Sequence, residues 1–478
     1  MSQYSFSYNY DSLNDAFNAV NRKGKMQKKY LSSEYLNVAQ EYREMRDKLN
    51  KILRKKKTER TEEETNQVDQ LKQLMKDNAQ KQKDLLQKYL SEVSSKILSN
   101  SFRFNLTSDT SKNPEKPVYS IGDTPEEFFA MQVLCRNVKK LFKISMSSRD
   151  EILSQLKMLL KEDKSRYYII RTDVHNCFES IPHNKLFKYL DGNNLLDVKS
   201  KKLLHGLIQK EFEDKNLRPV ITTPQTGIPR GCAISSLLSE FYLSKIDEKI
   251  RYKLPGIVFM ARYVDDIIIV IHPDLDDEHY KSIDWYIKRL EKIYYKKGLK
   301  IHTPTDGLGK CYTYDSDDTV DLDFNLLGYN ICINKKKYLI FSLSQDKLDR
   351  IKDKIDKSFT TFNNMIDIIG FDAAAHYLFD ALHILTCNIN LYNAKKEIKV
   401  GIFYSNQLLD NEKNLSFLDG QLRRNIGRLN LSSKTSIAIA DRLKRKLSLL
   451  SFTKGFEKPH KRYKVNKNRL QMIKQSWI

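Results

Sequence analysis

Asp265 and Asp266 are adjacent carboxylates between two apolar runs, Ile257 to Tyr263 and Ile267 to Ile271. The runs are β-branched and aromatic and read as two buried strands. The aspartates fall where a tight turn joins them. Buried strands tolerate side-by-side carboxylates only when something cationic neutralises them. A bound divalent metal fits that need; a turn whose aspartates face water is the plain alternative. A third carboxylate, Asp173, ends another apolar strand, Tyr167 to Val174, 92 positions before Asp265. If the strands lie side by side in one sheet, the carboxylates converge. Oxygen ligands without His or Cys suit Mg²⁺ or Mn²⁺ better than zinc. Two such ions about 3.5–4 Å apart can bind the attacking and the leaving oxygen of an in-line phosphoryl transfer. That chemistry needs charge neutralisation and positioning more than a protein nucleophile.

The elements around these residues follow from pattern. Residues 1 to about 34 are polar, with no clear period. Glu34 to about Leu98 lacks Gly and Pro and is rich in Glu, Lys, Gln, Leu and Arg, which predicts helix. A helical hairpin linked through Arg54 to Glu64 is the expected form, with a dimerising coiled coil of poor heptads as the alternative. Ser101 to Glu126 reads as strands and loops. Glu127 to Leu141 and Arg149 to Leu160 are amphipathic helices, the second capped by Ser147 or Ser148. Ser180-Ile181-Pro182 looks like a helix start, with a capping hydroxyl and Pro in the first turn. The stretch Thr226 to Tyr242 is a Gly/Pro/Gly loop running into a helix, and its glycines let the backbone lie close to a bulky neighbour. Asp284 to Lys297 reads as helix and Gly298 to Ile301 as strand. Leu326 to Ile331 opens a small hairpin through the turn at 334–337. Helices are expected over 346–369, 372–389, 410–429 and 435–450. The chain divides into an N-terminal helical extension (1–100), a central domain (101–345) and a basic helical C-terminal domain (346–478).

Charge points to the partner. The 478 residues carry a formal net charge of +23. From Gln421 to Ile478 there are sixteen Lys and Arg against two Asp and Glu. Nucleic acid is the natural polyanion for such a surface, before a membrane. Arg442, Lys444, Arg445, Lys446, Lys461, Arg462 and Lys464 are the candidate contacts, threaded with Leu449, Leu450, Phe452, Phe456 and Tyr463. A solvated basic tail is the alternative. No apolar run approaches the roughly 20 residues needed to span a bilayer. The start lacks the pattern of a secretory signal, and six scattered cysteines fit a reducing compartment. The expected location is cytoplasmic.

Taken together, Asp173 with Phe178, the Gly227-to-Ser236 loop, Tyr263-Val264-Asp265-Asp266 and Leu327-Gly328-Tyr329 resemble reverse transcriptases in order and rough spacing. The resemblance covers about Arg149 to Gln345. It implies an α+β, right-hand polymerase fold. Fingers and palm, with an antiparallel palm sheet, would be flanked by an N-terminal helical segment and a C-terminal all-α domain. It implies an RNA-directed DNA polymerase whose two metal ions are held by Asp173, Asp265, Asp266 and the Val174 backbone carbonyl. Phe178 would be a steric gate against a 2′-hydroxyl. Gly227, Pro229, Arg230, Gly231 and Tyr263 would line the nucleotide and template site, and Leu327, Gly328 and Tyr329 the primer grip. Arg230, Ser236 and Glu240 depart from the usual Gln, Pro and Asn of that loop. The usual Lys near Thr305 is missing, and Lys310 is a stand-in. These departures, with Arg171-Thr172-Asp173 and Phe178-Glu179-Ser180-Ile181, look most like bacterial antiphage enzymes of the abortive-infection and "unknown group" lineages. That resemblance implies dNTP substrates, a DNA product, an RNA template or dedicated non-coding RNA, untemplated or protein-primed synthesis in some members, and homo-oligomers in several. A catalytically silent RNA-binding scaffold, an RNA polymerase on the same palm, and a group II intron or retron enzyme are the competing readings.

Overall fold

The computed structural model describes residues 7–55, 59–111, 116–163, 165–192, 194–214, 225–273, 281–318, 321–333, 338–393, 396–429, 437–458 and 467–477. The architecture is α+β. The chain divides into two compact units, which interleave along the sequence. The first comprises Met1–Met146, Arg171–Ile268 and Asp276–Cys311; the second comprises Ser147–Ile170, Ile269–Leu275 and Tyr312–Ile478.

The described residues begin with α1 (Tyr10–Arg22), α2 (Ser33–Leu53) and α3 (Glu62–Leu98). Helix α1 lies in the stretch that showed no period to the sequence reading. It buries Leu13, Ala16 and Phe17, the i, i+3, i+4 stripe of an amphipathic helix. Helices α2 and α3 pack on each other as the expected hairpin. Thr61 and Glu64 form a reciprocal capping box that starts α3. Strands β1 (Leu106–Asp109) and β2 (Val118–Ile121) pair antiparallel. Helices α4 (Pro125–Leu141) and α5 (Arg149–Glu162) follow, the latter capped by Ser148.

Next come β3 (Tyr168–Asp173), the short α6 (Cys177–Ser180), α7 (His183–Asp191), α8 (Val198–Asp214) and α9 (Ala233–Lys253). Ser180 does not cap α7. It lies in α6, and its hydroxyl donates to the His175 carbonyl at 3.1 Å. Helix α9 is covered on nearly every side, burying Ile234, Leu238, Phe241, Ile246 and Ile250. Strands β4 (Ile257–Tyr263) and β5 (Asp266–Ile271), helix α10 (Ile283–Lys296) and β6 (Tyr312–Asp315) complete the central region. One sheet has the order β4-β5-β3-β6. Ile267 to Ile271 are all buried, as a continuous β-branched run in an inner strand should be. Gly298 to Ile301, read from sequence as a strand, makes only a bridge: Val174 pairs with Ile301, and the amide of the next residue, His302, donates to the Asp173 carbonyl.

A second antiparallel sheet joins β7 (Asp323–Leu326), β8 (Tyr329–Ile333) and β9 (Leu339–Leu343). What read as one strand through Leu326–Ile331 is broken by a two-residue turn, Leu327-Gly328. The expected turn at 334–337 lies outside the described residues. Helices α11 (Gln345–Ile369) and α12 (Phe371–Thr386) follow, then a hairpin of β10 (Asn388–Asn393) and β11 (Lys396–Gly401). This hairpin interrupts the C-terminal region expected to be wholly helical. Helices α13 (Lys413–Gly427), α14 (Ile437–Ser448), α15 (Phe452–Glu457) and α16 (Lys467–Ser476) end the chain. Phe359, Phe362, Tyr377, Leu382, Leu418, Leu422 and Phe452 share one buried cluster there. No helix among the described residues is long and apolar enough to cross a membrane.

Candidate active site

The tip of β3 and the β4–β5 turn come together. The Val174 amide donates to the Asp265 carbonyl at 3.2 Å. Asp173, at the end of β3, is thereby a neighbour of Asp265. Asp266 opens β5, and its carboxylate is gripped by Arg171, with Nε at 3.0 Å from one oxygen and Nη2 at 3.2 Å from the other. Arg171 and Asp173 are two apart on β3 and so share one face of the strand. The protein itself supplies the cation that one of the paired carboxylates needs. Burial still pushes the Asp266 carboxyl above its usual range, against the pull of Arg171. Burial, and then the charge of Asp173, push Asp265 the same way.

Asp173 differs from Asp266. Its Oδ1 is buried and accepts no hydrogen bond among the described residues. His302 Nε2 lies 3.3 Å from that oxygen, and His302 Nδ1 lies 3.2 Å from Asp306 Oδ2. The His302 ring stacks on His175 at 3.9 Å, and Thr172 Oγ1 fixes the His302 carbonyl at 2.7 Å. Lys310 Nζ lies 3.9 Å from Asp173 Oδ2. The sequence reading found no histidine for this site; the fold brings two against it. The His302 ring thus packs directly behind the Asp173 carboxylate. An orphaned carboxylate oxygen beside a second ionisable carboxylate is a donor set that fits a divalent cation with hard-ligand preference. Asp173, Asp265 and the Val174 carbonyl are the groups available to it.

The turn itself is strained. Val264 has φ 61, a left-handed conformation that a β-branched residue adopts at a cost of about 1–3 kcal/mol. Arg262 holds the turn in place: its Nη1 donates to the Val264 carbonyl at 2.8 Å. The same guanidinium bonds Glu240 at 2.7 and 2.8 Å and Asp247 at 2.8–3.2 Å, both on α9. The Arg262 side chain is 4% exposed. Tyr263 and Val264 are exposed at the tip.

The glycine-rich loop lies beside Phe178. The Ile228 amide donates to the Phe178 carbonyl at 2.8 Å, and the Gly227 amide to the Ile181 carbonyl at 2.9 Å. Ser235 Oγ donates to the Pro229 carbonyl at 2.6 Å. Gly231 has φ 99, and a β-carbon there would sit 2.6 Å from the Tyr119 carbonyl; only glycine fits. Arg230 lies over the Phe178 ring, 5.4 Å from its centroid. Its Nε and Nη2 both bond Glu179 Oε1, at 2.9 and 2.7 Å. Arg230, expected to contact template or nucleotide, is here tied to Glu179 and the Phe178 ring. Glu179 is a member of this group that the sequence reading quoted but gave no role.

In the second unit, Leu327 (φ 47) and Gly328 (φ 82) are both left-handed. That is the two-residue hairpin turn of primed type. Arg149 Nε donates to the Leu327 carbonyl at 2.7 Å. Arg149 and Lys347 each lie 5.2 Å from the Tyr329 ring centroid. Of the basic candidates, Arg442, Lys444, Arg445 and Lys446 lie on α14; Lys461, Arg462 and Lys464 lie outside the described residues.

Converging strand-end carboxylates, a glycine-rich loop and a covered phenylalanine on an α+β frame are the layout of a polymerase palm. Residues 43–304 match the reverse transcriptase (RNA-dependent DNA polymerase) family, and the chain belongs to it. It is 34% identical over 86 residues to a "Putative COX1/OXI3 intron 2 protein" of Saccharomyces cerevisiae, across 18% of this chain. It spans only 10% of the length of that curated relative. Similar solved structures include telomerase from Candida albicans in complex with a TWJ fragment of telomeric RNA. There the TM-score is 0.34 and the identity 12%, over 75% of this chain and 68% of that one. Another is apo telomerase from Candida tropicalis truncated from its C-terminal domain, with a TM-score of 0.30 and 14% identity, over 70% of this chain and 82% of that one.

Proposed function

We propose that this chain is an RNA-directed DNA polymerase that joins dNTPs at Asp173 and Asp265. One observation carries the reading. Asp173 keeps a buried, unbonded carboxylate oxygen beside Asp265, while Asp266 is neutralised by Arg171. A binding protein gains nothing from a buried carboxylate oxygen left without a hydrogen bond beside a second carboxylate. Asp173, Asp265 and the Val174 carbonyl would hold Mg²⁺ or Mn²⁺, two ions in all, which supply charge neutralisation to the attacking and leaving oxygens. Asp266 joins that set only by giving up Arg171. The reaction is attack of a primer hydroxyl oxygen on the α-phosphorus of a dNTP, with release of pyrophosphate. Phe178 fills the space a 2′-hydroxyl needs, and Arg230, fixed by Glu179, holds that ring in place. His302 orients Asp173, and Arg262 sets the height of the Asp265 turn. The partners are an RNA template, dNTPs and the DNA product.

The test is dNTP incorporation on an RNA template with Mg²⁺. Asp265→Ala with Asp266→Ala should abolish it; unchanged incorporation refutes the assignment. A second reading, a silent RNA-binding scaffold, is favoured by the engagement of Arg230 with Glu179, which leaves that cation less free for a template. RNA binding by the wild type without any incorporation supports it. A role in antiphage defence rests on the motif resemblance around Asp173 and Arg230. Cells expressing the wild-type chain should then resist phage, and cells expressing the Asp265→Ala, Asp266→Ala chain should not.

A further inference from the structure

Helices α12 and α14 border an open cleft of about 340 Å³, lined on one side by Phe371, His376 and Phe379 and on the other by Ile439, Arg442 and Lys446. The volume lies in the range of small-ligand clefts. On α12, His376, Phe379 and His383 follow i, i+3, i+7 spacing and so share a face. Phe379 stacks on His383 at 5.5 Å. Lys446 stands over the Phe379 ring, 4.3 Å from its centroid. Helix α14 carries Arg442, Lys444, Arg445 and Lys446 against Asp441 alone. Among the described residues, no carboxylate side chain pairs with Arg442, Lys444 or Lys446. Asp372, at the rim, is the one acid lining the cleft. Leu443 and Leu447 point into the core, which fixes the helix with its cations outward.

An aromatic face bordered by unneutralised cations has a specific use. Bases stack on the ring, while phosphates meet the ammonium and guanidinium groups. A base seated on Phe379 would take the place of the Lys446 ammonium over that ring. We infer that the groove between α12 and α14 seats an unpaired nucleotide of a single-stranded nucleic acid, with its base on Phe379 and its phosphates on Arg442 and Lys446. An acidic peptide would use the same cations but has no base to stack. The inference rests on the reading that this chain handles nucleic acid, and its test does not depend on catalysis.

The probe is a fluorescein-labelled oligo(dT) or oligo(U), compared with an abasic oligonucleotide of equal length, titrated with the full chain. The wild type should bind the base-bearing strand on the order of tenfold more tightly. Phe379→Leu, which keeps an apolar side chain against the core, should erase most of that preference while leaving affinity for the abasic strand unchanged. Arg442→Gln with Lys446→Gln should weaken both strands. Equal binding of the two strands by the wild type overturns the inference. So does an unchanged preference in a Phe379→Leu chain whose melting temperature is intact. Displacement of the abasic strand by poly-glutamate as readily as by oligo(dT) also overturns it, and makes the groove a dock for acidic protein. If dNTP incorporation fails while the base preference persists, the polymerase reading falls and the groove stands. If incorporation succeeds without the preference, the reverse holds.

Discussion

Arg171 explains how two adjacent carboxylates survive at the mouth of buried strands. Its fork takes both oxygens of Asp266, and charge-assisted pairs of this geometry are the strong ones. Arg171→Met should cost about 2–3 kcal/mol, read as a lower denaturation midpoint in EDTA. Asp266→Asn in the same background should recover much of the loss, because the uncompensated charge is then gone. A double-mutant cycle without coupling would sink this account. Arg230 and Glu179 make a second pair with a different task. Arg230→Gln or Glu179→Gln frees the Phe178 ring. Either should reduce discrimination of dNTP over rNTP, in kcat/KM, on the order of tenfold. Unchanged discrimination in both variants, alongside relaxed discrimination in Phe178→Ala, would show the ring needs no support. Asp173, Asp265, Phe178 and Arg230 were legible because each sits in a local pattern at a strand end or glycine loop. Arg171 was legible in principle, by its period-two relation to Asp173. His302 was not: its place behind Asp173 comes from a long-range bridge between 174 and 301, which no local spacing reveals.

At the scale of elements, the site depends on how α9 and β4 are locked. Glu240 and Asp247 are seven apart, hence on one face of α9, and both close on Arg262. Burial pushes the Asp247 carboxyl up, against the pull of Arg262. Arg262→Met leaves two half-buried carboxylates without a counter-charge and should destabilise the fold by about 2–3 kcal/mol. It also releases the Val264 carbonyl, so any surviving folded protein should lose incorporation out of proportion to its stability. The β7–β8 turn has its own test. Lys347, at the start of α11, is pushed down to about 7, by burial first and then by Arg149 and Arg350. Its ammonium donates to the Ser405 carbonyl and to Asn406 Oδ1. The folded state binds this proton less tightly than the unfolded chain, whose amine titrates near 10.5. The penalty is therefore complete below about pH 7, and stability should climb as pH rises from there toward 10.5. Lys347→Met should flatten that climb in denaturation curves. Competitive acetylation should find Lys347 half-reactive near pH 7; reactivity only above pH 9 would refute the shift. The missed elements have physical causes. Helix α1 carries a sound apolar stripe inside a polar, Tyr- and Asn-rich segment that hid it. In the β10–β11 hairpin, Ile389 and Leu391 alternate, as do Ile398 and Val400. The helical pattern before it was simply extended too far.

Across the whole molecule the governing quantity is charge. A net +23 makes non-specific attraction to any polyanion unavoidable, so affinity alone distinguishes little. Its salt dependence distinguishes more. Each phosphate neutralised contributes a slope of about 0.7 to 0.9 in log affinity against log salt. Replacing Arg442, Lys444, Arg445 and Lys446 by Gln leaves nineteen of the net positive charges, so a purely diffuse attraction would barely change its slope. If those four side chains meet phosphates directly, the slope magnitude should fall by about 3. The measurement is binding of a single-stranded oligonucleotide across a salt series, with the Asp265→Asn chain as the recipient of the four substitutions so that no synthesis alters the probe. A slope that moves by less than about 1 would assign the C-terminal charge to solubility and long-range steering. A slope that falls in full would make α14 a contact surface, whose cations locate the strand while the bases are left for Phe379 to hold.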